Sequence, residues 1–99
     1  MNIERIILEY ENVAGFLAEH QAHLEHDGLY FQTNSSLETN TAISLELHFN
    51  DLKKTIELND YHVVWTSSTR NRHGFWSASV GLTPAQKKQL LRSLNRLKS

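Results

Sequence analysis

Between Ala42 and Phe49, four apolar residues (Ile43, Leu45, Leu47 and Phe49) alternate with Ser44, Glu46 and His48. A period of two marks a half-buried β-strand, because successive side chains leave a strand on opposite faces. One face must then be covered by other elements of the chain, which points to an antiparallel sheet folded over its own core. With 99 residues, 39% apolar and 9% aromatic, the chain has material for one small domain. Four glycines and one proline do not describe a low-complexity or disordered chain. The absence of cysteine excludes a disulfide scaffold, thiolate catalysis and cysteine-ligated zinc.

The remaining segments extend this reading. Asn50-Asp51-Leu52-Lys53-Lys54 is a hairpin turn, since Asn and Asp side chains bond their own backbone in turns. The run 55–66 includes Tyr61-His62-Val63-Val64-Trp65, which is β-branched and aromatic, and Asn59-Asp60 predicts a bulge or bend within it. Residues 3–10 read as a strand, although a short helix over 4–11 also fits. Residues 16–24 fit a helical spacing as well as a strand. Asp27-Gly28 is a turn signal before Leu29-Tyr30-Phe31, 67–74 is a polar basic loop, and 75–82 is a further strand. Thr83 and Gln86 form a capping box around Pro84 at the first helical position. Leu90, Leu91, Leu94 and Leu97 then make one apolar stripe of a helix over 83–98. No repeat or linker divides the chain, so a single domain over 1–99 is expected, with strands over 3–82. The longest apolar run, Ile6-Ile7-Leu8, is too short for a signal-peptide core or a membrane span, and a cytoplasmic protein is the expectation.

The net charge of −1 conceals a division. Residues 1–60 hold all 11 acids against three bases, and residues 61–99 hold seven bases and no acid. Such asymmetry either presents a basic face to an acidic partner or is neutralised when folding brings the halves together.

The order of the pieces resembles the PilZ family of bacterial domains. The segments that carry the likeness are Phe16-Leu17-Ala18-Glu19-His20, Gly28-Leu29-Tyr30-Phe31-Gln32-Thr33, the strand Ala42–Phe49, Val63-Val64-Trp65, and Gly74-Phe75-Trp76 followed by a strand, Thr83-Pro84 and a helix. The likeness spans residues 13–98 and is nearest to members found with gliding and type IV pilus motility. It implies a mainly β fold, a six-stranded antiparallel barrel with one C-terminal α-helix, and no catalytic activity. Members that bind cyclic di-GMP carry RxxxR and (D/N)xSxxG, whose arginines make bidentate contacts to phosphate and guanine edges. Aligned on Gly28, this chain has His23 at the Asp/Asn position and Glu25 at the Ser position. A carboxylate there repels a dianionic ligand by ~1 kcal/mol or more at contact distance. The arginine pair is missing as well, since Arg5 is followed four residues later by Glu9. The resemblance therefore implies a non-enzymatic adaptor for a bacterial signalling or motility protein, with no cofactor. The alternative is a cyclic di-GMP receptor with other contacts, to which Arg70, Arg72, His23 and Gly28 are assigned. For partner binding the candidates are Trp76, Phe75, Arg92 and Arg96, and self-association through strand edges or the leucine stripe stays open.

His20, His23 and His26 are spaced three apart, and on a helix their imidazoles project within about 120° of one another. On a strand His20 and His23 face opposite ways; the segment is expected to run from strand to turn, so no metal site is assigned. Arg70, Arg72 and His73 beside Phe75 and Trp76 mix bases and aromatics as single-strand nucleic-acid sites do. The slightly acidic chain carries no RNA-binding signature, so a nucleic-acid-binding small barrel ranks third. No nucleophile elbow, Walker loop or HExxH is present. By alternation with Tyr61 and Val63, Trp65 is expected in the core, and Trp76 at the surface as an anchor.

Overall fold

The computed structural model describes residues 3–98. The chain runs β1 (Glu4–Tyr10), α1 (Val13–Glu25), β2 (Gly28–Thr33), β3 (Ala42–Phe49), β4 (Lys54–Thr66), β5 (Trp76–Gly81) and α2 (Pro84–Lys98). The five strands form one sheet in the order β1-β3-β4-β5-β2. Its β1–β3 pair is parallel, and the other neighbours are antiparallel. The sheet curls into a half-barrel around a core that includes Phe16, Leu29, Ile43, Leu45, Leu47, Phe49, Val63, Val80, Leu90 and Leu94.

The mainly β architecture with a C-terminal helix is as expected, but among the described residues there are five strands, not six, and two helices, not one. The difference lies in 16–24. Phe16, His20 and Leu24 share one parity, so a strand would place them together just as a helix does. Val13, also buried, has the opposite parity, and only the 3.6-residue period puts all four on one face. The helix start is fixed by Asn12, whose Oδ1 accepts from the Gly15 N–H at 2.7 Å, satisfying a donor that the first turn leaves unpaired. Long crossover connections allow parallel pairing, and the path through α1 and β2 returns β3 beside β1.

Two bulges shape β4. Between Ile43 and Leu45 of β3 the register shifts, with Ile43 opposite Tyr61 and Leu45 opposite Leu58. The extra residue falls at Asn59-Asp60, as the sequence predicts, and Asp60 sits at φ +63°, a left-handed conformation that Asp tolerates better than most residues. This extra residue keeps Ile56 and Leu58 on the core face together with Tyr61 and Val63. A second shift, between Val63 and Trp65, breaks the alternation once more. The 50–53 turn is tied to the end of β1 by the N–H groups of Asn50 and Asp51, which donate to the carbonyls of Tyr10 and Glu11.

The start of α2 is the expected capping box: the Thr83 N–H donates to Gln86 Oε1 at 2.9 Å, and the Gln86 N–H to Thr83 Oγ1 at 3.1 Å. Leu90 and Leu94 are buried and Leu97 packs against the core, whereas Leu91 is exposed. Ridge positions 90, 94 and 97 are already spaced to fill the interface, which leaves Leu91 on the flank. No helix of the described residues is long and apolar enough to cross a membrane.

Candidate functional site

Three neighbouring features carry chemistry. The first is a polar chain inside the fold. Tyr10, on the concave face of β1, places its hydroxyl 2.7 Å from His20 Nε2, and His20 Nδ1 lies 3.0 Å from His23 Nδ1. His20 is 2% exposed, so both of its ring nitrogens are satisfied within the protein, as burial requires. With all three groups neutral, each contact holds one proton, and the chain runs in either sense. Protonating His20 places a charge where little water reaches it, beside a second imidazole. Burial, reinforced by His23, accordingly lowers the His20 pKa from 6.5 to about 4, and burial with the charge of Glu19 pushes the Tyr10 phenol up. Here the expectation of a strand running into a turn is corrected: the segment is helical, and His20 is a core residue. His26, the C-cap of α1, bonds through its backbone N–H. Among the described residues no three His, Cys, Asp or Glu side chains gather as a metal-ion site.

The second feature is a row of aromatics leading from this chain to the outer face of the sheet. The rings of His23 and Tyr30 are 5.6 Å apart, and Tyr30 stacks on Trp65 at 5.9 Å and 26°. Ser79 is the register partner of both Tyr30 in β2 and Trp65 in β4. Its small side chain lets the two rings meet above the intervening strand. Trp65, expected in the core, is 47% exposed, and its neighbour Val64 is 58% exposed. The second bulge is the cause, because one extra residue between Val63 and Trp65 turns both Val64 and Trp65 outward.

The third feature is the loop 67–75. Asn71 organises it: its Oδ1 accepts from the N–H groups of His73 and Phe75, and the Gly74 N–H donates to the Asn71 carbonyl. Gly74 takes φ +85°, which glycine adopts without Cβ strain. The Arg70 guanidinium lies 5.6 Å from the centroid of the Trp76 ring, within cation–π range. Trp76, expected at the surface, is half-buried.

The residues assigned to a nucleotide are not brought together. Gly28 opposes Gly81 and Thr33 opposes Trp76, which sets Gly28 and the Arg70–Trp76 pair at opposite ends of β2, roughly 16 Å apart at the rise of a strand. Arg72 is exposed on the loop, and His23 is bonded to His20. Gly28 has a packing reason of its own: a Cβ there would meet the Val80 carbonyl oxygen at 3.1 Å. Of the partner-binding candidates, Phe75 and Trp76 are half-buried at the end of the loop, and Arg92 and Arg96 lie on the exposed side of α2. Tyr30 and Val64 were missed by sequence reading. Only the outward parity of Tyr30 next to Leu29 and Phe31 signals it.

An ion pair joins the acidic and basic parts of the chain, with Lys87 of α2 3.0 Å from Asp27. No family model matches this chain, and no curated protein matches it.

Proposed function

We propose that this chain is a PilZ-like, non-enzymatic binding module that docks a protein partner in bacterial motility or cyclic di-GMP-related signalling. The observation that carries the reading is the stacked Tyr30–Trp65 pair with Val64 beside it, held on the outside of the sheet. A small domain gains nothing for its own core by turning a tryptophan and a valine outward, whereas aromatic anchors of this kind supply much of the free energy at protein interfaces. The capped helix that follows the last strand supports the reading, while the five strands, the parallel β1–β3 pair and α1 depart from the barrel that the resemblance implies. Against the nucleotide alternative stand the wide separation of Gly28 from Arg70 and the use of Arg70 to cover Trp76.

Two measurements test this. Calorimetry with cyclic di-GMP up to about 100 µM is expected to give no heat at two temperatures; saturable binding would establish the receptor alternative instead. Affinity capture from a bacterial lysate is expected to retain a partner with the native chain and to lose it with Trp65→Ala. Equal retention by Trp65→Ala, with the variant folded, would remove the aromatic row from the interface.

A further inference from the structure

The half-barrel leaves its two outer strands, β1 and β2, without partners on one side, and these two edges face each other. A cavity of about 330 Å³ is walled by Leu8, Glu9 and Tyr10 on one side and by Tyr30, Phe31 and Gln32 on the other. A second, of about 310 Å³, continues between Ile6 and Ile7 of β1 and the end of β2. Together they make a slot along residues 5–10 of β1 and 30–33 of β2. It is closed at one end by Glu19 and His20 of α1, and at the other by the Ser35 hydroxyl, which donates to Glu4 at 2.7 Å. β1 has seven residues and β2 six.

Deepening the binding-module reading above and resting on it, we propose that this slot accepts one extended segment of a partner protein as a sixth strand. Two observations support a strand as the occupant. Unpaired edges are normally blunted by proline, inward charge or a bulge, yet β2 (Gly-Leu-Tyr-Phe-Gln-Thr) contains no charged residue or proline and pairs with β5 in unbroken register. On β1, Ile7 is 55% exposed in mid-strand. Two facing strand edges, an open cavity between them and apolar residues below are what strand addition requires.

Charge selects the segment. Glu9 and Glu19 line the slot, and its one base, Arg5, is paired with Glu46 at 3.3 Å. The incoming strand therefore carries apolar side chains at alternate positions, towards Ile6, Leu8 and Phe31, and Lys or Arg at the positions between. A second copy of the chain is disfavoured because β2 walls the far side of the slot, so that the occupant is flanked on both sides.

The test uses the full chain, ¹⁵N-labelled, with a capped hexapeptide alternating lysine and valine as the probe. At saturation, the edge amides of β1 and β2 are expected to exchange with solvent at least about tenfold more slowly. N-methylation of alternate peptide amides is expected to abolish this, and a glutamate–valine peptide to bind at least about tenfold more weakly. Glu9→Lys and Glu19→Lys, both at exposed positions, are expected to narrow or reverse that preference. No shifts at millimolar peptide, equal binding of the two peptides, or unchanged exchange at the edges would each overturn the slot. Shifts confined to Tyr30, Val64 and Trp65 would overturn it too while leaving the aromatic face as the docking site. A dimer whose edge amides are already protected without peptide would replace the partner segment by a second copy. Loss of capture by Trp65→Ala is scored separately, so failure of the slot and failure of the binding-module reading are distinguishable.

Discussion

A neutral histidine buried between a tyrosine hydroxyl and a second histidine makes the stability of this fold depend on pH. His20 has a folded pKa near 4, against 6.5 for the free side chain. Between those values the unfolded chain binds a proton that the folded chain refuses, so stability rises with pH across the window. Its contribution is fully present above about pH 6.5 and is lost as pH falls towards 4, by roughly 2–3 kcal/mol in total. Urea unfolding at pH 7.5 and pH 4.5 is expected to show that loss, and His20→Gln to flatten it. Equal unfolding midpoints for the native chain at the two pH values would show that His20 is not held neutral. Trp65 presents the opposite case at this scale. With 47% of its surface in water, Trp65→Ala is expected to cost under about 1 kcal/mol of stability, far below the ~3–5 kcal/mol of a core aromatic. A thermal melt separates these values.

Among the elements, α1 depends on its cap and β4 on its bulges. Asn12→Ala removes the acceptor for the Gly15 N–H and is expected to lower stability by about 1 kcal/mol, read as a fall of several degrees in Tm for a domain of this size. Deleting Asp60 removes the residue that absorbs the register shift between β3 and β4. Either Ile56 and Leu58 or Tyr61 and Val63 would then turn to solvent, since a slip of one residue exchanges the two faces of a strand. That variant is expected to lose its cooperative unfolding transition. Asp60→Gly, which keeps the residue count and relieves the left-handed backbone, is expected to retain it or gain a few tenths of a kcal/mol.

For the molecule as a whole, curling the sheet does not close it, and two edges stay open. An unpaired edge without charge invites pairing with other chains. Gln32 lies on the outward, exposed side of β2, so Gln32→Lys is expected to slow aggregation at high protein concentration while leaving Tm within about 1–2 °C of the native value. Light scattering beside a thermal melt reads both quantities; unchanged aggregation would show that the β2 edge is not where chains associate.

Much of the architecture was legible in the chain. The alternation 43–49 sets β3, Asn59-Asp60 marks the first bulge of β4, and Thr83, Pro84 and Gln86 write the start of α2; each of these rests on contacts close in sequence. The residue pattern allows five or six strands, six if 16–24 is a strand; the resemblance implies six, and the described residues hold five. Residues 16–24 were undecided because Phe16, His20 and Leu24 satisfy both periods; packing of Val13 and the Asn12 cap settled them as a helix. Trp65 was misplaced because alternation assumes an unbroken ladder, and the bulge after Val63 arises only when β4 has to match β5. Local periodicity and capping thus determined which segments become strands and helices. Register, the outward turn of Trp65, the burial of His20 and the facing of β1 and β2 were decided by tertiary structure, since each depends on residues distant in the sequence that meet only once the sheet has curled.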